Sequence, residues 1–284
     1  MTAEQRSRPI ARTRAAAQGL RRSGAIGDRV ATVTLPIAFA VVVVIGWAAY
    51  VNVSGVSSLS LPSPAEVGER LIANIPLLLQ NAWPTLQSVF LGYLLAVVLG
   101  IGVAALINAS KIAEKALVPW LIVSQMIPLP AIAPLFVLWT GFDIRPRLML
   151  IALVCFFPIA VNMIDGLRTV DPALVDVLRT MRATRRQRFF MAQFPAALPL
   201  TFSGLRIAAA FAVLGAVFGE WVGANSGLGY LIIAFNSQLR TADMLGVVIV
   251  LSVIGVALFG LVSLIERLVL PWNSRADTVT KGPR

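Results

Sequence analysis

Few side chains in this 284-residue chain are equipped for chemistry. There is no His and one Cys, and 13 Asp and Glu stand against 24 Lys and Arg. Without His there is no His-based triad or His-containing metal site, and one cysteine forms no intrachain disulfide. No G-x-x-x-x-G-K-[ST] phosphate loop occurs, so the chain does not bind ATP by that route. The patterned polar stretch is 165–197. Leu174, Val177, Leu178 and Met181 recur at helical spacing, and Arg179, Arg182, Arg185, Arg186 and Arg188 supply a basic side. Asp171 is placed to cap this helix, with Pro172 at its first position. Such a segment either lies on a membrane leaflet, where each basic residue contributes about 1 kcal/mol on anionic lipid, or docks a partner.

The other polar groups are isolated in apolar surroundings. Pro128, Pro130 and Pro134 interrupt helical bonding, which at membrane depth needs protein or a water-filled cavity to satisfy the freed groups. Gln125, Pro128, Pro130, Asn162, Glu220 and Asn236 are therefore the candidate lining of a translocation pathway, with an inert kink and a solvated interfacial Glu220 as the alternatives. Arg206 either snorkels to the interface or pairs with an acid across a subunit boundary. Gly215, Gly219 and Gly223 recur every fourth residue and predict a close helix contact or a dimer face. Cys155 is expected to be buried and inert, and no metal site is expected.

The elements that hold these residues are dictated by composition. With 58% apolar and 13% charged residues, the chain departs far from the soluble norm of about 45–50% and about 25%. Six stretches suit a bilayer crossing of roughly 20 apolar residues: 30–53, 83–107, 116–140, 148–164, 198–222 and 244–265. With the first 29 residues inside, segments 1–29, 109–116, 165–197 and 266–284 hold 19 of the 24 basic residues, four lie outside and Arg206 is within a span. The positive-inside rule thus places both termini in the cytoplasm. The net charge of +11 reports orientation, and nucleic acid is not needed to explain it. Segment 1–29 reads as a disordered basic tail, and 61–72 as a short surface helix capped by Ser63.

The run Val170-Asp171-Pro172-Ala173-Leu174-Val175-Asp176-Val177-Leu178-Arg179-Thr180-Met181-Arg182-Ala183-Thr184, continuing to Phe194-Pro195-Ala196-Ala197-Leu198-Pro199, resembles the cytoplasmic "EAA" loop of permease subunits of binding-protein-dependent ABC importers. The runs Gly204-Leu205-Arg206-Ile207-Ala208 and Gly219-Glu220-Trp221-Val222-Gly223 through Ile232 are similar to the nitrate/sulfonate/taurine/bicarbonate branch. So are Gln125-Met126-Ile127-Pro128, Ala133-Pro134-Leu135 and Leu61-Pro62-Ser63-Pro64. With Leu270-Pro271-Trp272, the pattern looks most like permeases for thiamine-precursor pyrimidines. The resemblance covers roughly residues 59–273.

Three departures stand out. Asp176-Val177-Leu178 replaces Glu-Ala-Ala, Arg182 occupies the family's glycine, and Phe194-Pro195 replaces Leu-Pro.

The resemblance implies an all-α polytopic membrane protein of six transmembrane helices, a type I ABC importer permease-like bundle. The permease domain would cover 30–273, with coupling loop 165–197 and cytoplasmic tails 1–29 and 274–284. Asp171, Asp176, Val177, Leu178, Met181, Arg182, Ala183 and Pro195 would form the ATPase-coupling loop. No cofactor is expected in this chain, Mg-ATP being held by a partner. The implied partners are ABC ATPase subunits, an extracytoplasmic solute-binding protein, a second permease copy and membrane lipids. The implied location is the bacterial inner membrane, and the implied cargo a pyrimidine thiamine precursor or a sulfonate- or nitrate-type anion. A secondary carrier would need charged groups at the bilayer centre and inverted repeats, which this sequence does not display.

Overall fold

A computed structural model describes residues 34–271. The basic segment 1–29, Trp272 and segment 274–284 lie outside the described residues. Helices follow one another with no strand among the described residues: α1 (Thr34–Ser54), α2 (Pro64–Ala73), α3 (Ile75–Ala109), α4 (Lys111–Met126), α5 (Leu129–Thr140), α6 (Arg145–Arg168), α7 (Pro172–Thr180), α8 (Arg185–Arg188), a π turn (Phe189–Gln193), α9 (Phe194–Gly223), α10 (Leu228–Ser237) and α11 (Thr241–Val269). Of the described residues, 34–67 and 68–271 form separate compact units. In the first, α1 is apolar and long enough to cross a membrane, and Ser63 Oγ accepts the Glu66 N–H at 3.2 Å, the cap expected of α2.

The second unit is a bundle whose helix directions are read from its tightest contacts. Gly92 packs on Ile151 and Gly100 on Ile159, so α3 and α6 run parallel. Gly204 packs on Pro158 and Asn162, Gly215 on Ile151 and Gly219 on Arg147, so α9 runs antiparallel to α6. Glu266 of α11 pairs with Arg206 of α9 at 2.8 Å, and Val213 approaches Gly255, so α11 again runs parallel to α3. The C-terminal ends of α3, α6 and α11 therefore share one face with the start of α9.

Parallel neighbours demand a return crossing between them, and residues 110–144 supply it in two pieces. α4 and α5 meet at 104°, where the expectation over 116–140 was one interrupted span. The bend is built by Ile127 (φ −77°, ψ 117°) and Pro128 (φ −65°, ψ 120°), both extended. A proline ring forces its predecessor out of helical backbone, and Pro128 and Pro130 each lack a backbone donor. α4 packs at the Arg168 end, through Leu121 beside Ala104, Ile107 and Ile164. α5 packs against α6, with Ala133 and Phe136 beside Leu150.

Other boundaries extend beyond expectation. α3 starts at Ile75 instead of residue 83, because Pro76 suits a first turn and Pro84 is carried inside the helix. The fifth crossing is helical from Arg185 to Gly223 without interruption, beginning well ahead of the expected residue 198. The π turn over Phe189–Gln193 lies just ahead of Pro195. It widens the backbone where the ring would otherwise clash with the carbonyl four residues earlier.

The centre of the bundle is made of small side chains. Ala96, Ala208, Ala212 and Ala216 pack with Ile151, Cys155 and Ile159, and the Cys155 thiol donates to the Ala208 carbonyl. The Gly215, Gly219 and Gly223 strip is spent inside the chain: Ile151 and Arg147 of α6 cover the first two, and Val137 of α5 covers the third. Of the two uses expected for that strip, close helix packing is observed within the chain.

Candidate functional site

The loop at the Arg168 end is a rigidly capped structure. Asp171 accepts the Ala173 N–H at 2.8 Å and opens α7 as expected. The helix closes in a Schellman motif: the Arg182 N–H bonds the Arg179 carbonyl (2.9 Å) and the Ala183 N–H the Leu178 carbonyl (2.9 Å). That motif needs a left-handed residue at its turn, normally Gly, and Arg182 adopts φ +57°. Arg182 therefore takes a backbone that glycine adopts more readily, at a cost of about 1–2 kcal/mol for an L-residue. Thr184 and Gln187 then form a reciprocal capping box that starts α8.

α7 consequently presents two faces. Val175 and Leu178 turn toward the bundle and are half-buried. Leu174, Val177 and Met181 are exposed, Met181 at 72%. Of the four apolar positions read from spacing, three thus form an uncovered stripe and Leu178 belongs to the inner side. Asp176 pairs with Arg179 at 2.8 Å. Pro195 lies half-buried in the first turn of α9, away from α7 in sequence and within the helical run below it.

The pathway candidates separate into two groups. Gln125, Pro128 and Pro130 are exposed at the α4–α5 break, and Asn236 is exposed at the end of α10. Asn162 is half-buried where Gly204 packs against α6, and it donates to the Pro158 carbonyl of its own helix at 2.8 Å. Glu220 is 1% exposed, neither solvated nor facing an open path. Its Oε1 accepts from the Thr85 hydroxyl at 2.8 Å and its Oε2 from the Gly229 N–H at 2.6 Å. Thr85 in turn accepts the Leu228 N–H (2.9 Å), and Asn81 accepts the Gly227 N–H (3.0 Å).

Three helices are joined at this corner. The N-terminus of α10 leaves its first amide donors without helical partners, and side chains of α3 and α9 satisfy them. Gly227 has φ +122°, and a Cβ there would overlap the Glu220 carboxylate. Asn81, Thr85 and Gly227 were missed from sequence. Their signal was the polar row Asn81, Thr85, Ser88 at helical spacing in an apolar span. Arg206 pairs with Glu266 at 2.8 Å on the same chain, so neither snorkelling nor a partner across a boundary is required.

The pattern of the family "binding-protein-dependent transport system inner membrane component" matches residues 96–274, a stretch containing the α4–α5 break, the capped loop and Glu220. The chain belongs to this family. A formylaminopyrimidine transport permease protein of Halalkalibacterium halodurans is 38% identical over 76% of this chain and 86% of its own length. A putative aliphatic sulfonates transport permease protein of Bacillus subtilis is 36% identical over 65% of this chain and 67% of its own. A chain of an amino acid ABC transporter crystallised with histidines shares the fold, with a TM-score of 0.57 at 18% identity over 69% of this chain and 95% of that one. The permease is thus a multi-pass inner-membrane subunit of an ATP-driven importer, not an enzyme. In such systems an ATPase and a solute-binding protein are separate chains.

Proposed function

We propose that this permease pairs with a second copy of itself, and that the solute path runs between the two copies along the exposed α4–α5 break. The exposed stripe of α7 seats in the ATPase, and Asp171, Asp176 and Arg182 hold α7 in the shape the partner grips. Mg-ATP is bound by that ATPase alone. The loop end faces the cytoplasm, with both termini on the same side, and 30–273 is the permease domain between cytoplasmic tails. Closure of the ATPases draws the two α7 helices together and switches the access of the path. The cargo is a thiamine-precursor pyrimidine, in line with the formylaminopyrimidine relative. Sulfonate- or nitrate-type anions are the second candidate class, with the aliphatic sulfonates relative behind them.

The observation that carries this reading is the uncovered row Leu174, Val177 and Met181 on a helix fixed at both ends. An apolar stripe held out from a bundle by two caps marks an interaction face. Val177→Asp with Met181→Asp leaves the chain inserted and folded and abolishes co-purification of the ATPase. Co-purification at the unsubstituted level would overturn the assignment of the docking face.

A further inference from the structure

On the inner side of α7, away from the docking stripe, lies a cavity of about 590 Å³ between the last turn of α3 and the loop. Lys111, Arg179, Arg185, Arg186 and Arg188 line it, and no carboxylate does. Arg179 is paired with Asp176. Among the described residues no carboxylate pairs with the other four. The Arg188 Nε is buried without a hydrogen-bond partner, and the Arg186 guanidinium lies over the Phe190 ring at 5.9 Å. Four like charges around one cavity repel each other, and an anion relieves that repulsion. Guanidinium groups suit phosphate in particular, because their paired N–H donors match its oxygens.

Asn108 and Gln193 also line it, the Asn108 amide donating to Gln193 Oε1 at 3.0 Å, and the remaining lining is apolar. Ala105 and Ala109 come from the end of the α3 crossing, and Phe189 and Phe190 from the π turn. Phe190, Leu106 and Ile112 beside it are exposed, so an apolar surface leads from the cations onto the bilayer-crossing part of α3. A ligand carrying phosphate on an alkyl body covers both parts. Free phosphate would leave the apolar part bare, and a water-borne protein partner has the opposite face of α7. We propose that this cavity binds the phosphate headgroup of an anionic phospholipid from the adjoining leaflet, with its acyl chains along α3. Basic pockets at the ends of membrane helices take such headgroups.

The test is native mass spectrometry of the full chain in neutral detergent with limiting phosphatidylglycerol. The unsubstituted chain retains one lipid preferentially, and Arg185→Gln with Arg188→Gln weakens that retention roughly 30-fold. Lys111→Gln, an exposed residue whose change leaves packing intact, weakens it roughly fivefold. Arg70→Gln with Arg145→Gln removes the same charge at the opposite end and keeps the retention. Equal loss in that pair, or no loss in either loop variant, overturns the proposal. Displacement of the lipid by inorganic phosphate assigns the cavity to a free anion, and its loss on ATPase binding assigns it to that partner. Either result overturns the lipid as occupant.

Discussion

Arg182 and Leu239 share one backbone solution at opposite ends of the bundle. Each has φ +57°, and each closes a helix by the same pair of hydrogen bonds, for Leu239 from residues 239 and 240 to the carbonyls of Asn236 and Phe235. Arg182→Gly removes the left-handed penalty and raises the stability of the loop by up to about 1 kcal/mol after the entropic cost of glycine. Arg182→Val, branched at Cβ, lowers it by more, and thermal unfolding in detergent reads both. At the other end, Glu220→Ala leaves the Gly229 N–H without its acceptor and the Thr85 hydroxyl with the Asn81 carbonyl at 3.3 Å. A buried donor left unpaired costs about 1–3 kcal/mol. The variant should melt earlier, with residues 225–229 newly open to protease, and unchanged melting would contradict the corner's role. Asp171 was legible in the sequence because capping is local chemistry, decided by the next two residues. Glu220 was legible as an unusual group but not as a clamp, since its Thr85 partner is 135 residues away.

At the scale of elements, the α6–α9 contact sets the geometry of the bundle. A Cβ on Gly215 would stand 2.8 Å from the Ile151 Cα, and one on Gly219 would stand 2.9 Å from the Arg147 Cα. Backbone does not yield as a flexible side chain does, so Gly215→Val or Gly219→Val must push the helices apart. Overpacking of that kind costs about 1–3 kcal/mol. Both variants lower the melting temperature of the single chain, which a strip serving only a dimer face would not do. The repeat of glycines was plain in the sequence, but which neighbour covered it was not, because any apolar helix presents a suitable partner. The prolines likewise announced a break at Pro128, while the bend of 104° depends on α4 and α5 packing against different parts of the bundle. The π turn ahead of Pro195 left no sequence mark beyond the proline itself.

At the scale of the whole molecule, the crossings were legible from composition, because the bilayer imposes their length and apolarity. A single buried Cys155 makes the orientation measurable. In a Cys155→Ala background, Ser226→Cys should react with a membrane-impermeant maleimide added outside intact cells. Ala173→Cys on α7 should react only after the membrane is opened, and the reverse pattern would invert the proposed topology. What composition did not reveal is that the return crossing between the parallel α3 and α6 is a pair of helices bent by 104°. The most direct test of the central claim uses the permease reconstituted in proteoliposomes with its ATPase and binding protein. Loaded binding protein should stimulate ATP hydrolysis and drive solute uptake, and Val177→Asp with Met181→Asp should abolish both. Uptake that persists in that variant, or without ATP hydrolysis, would contradict the account.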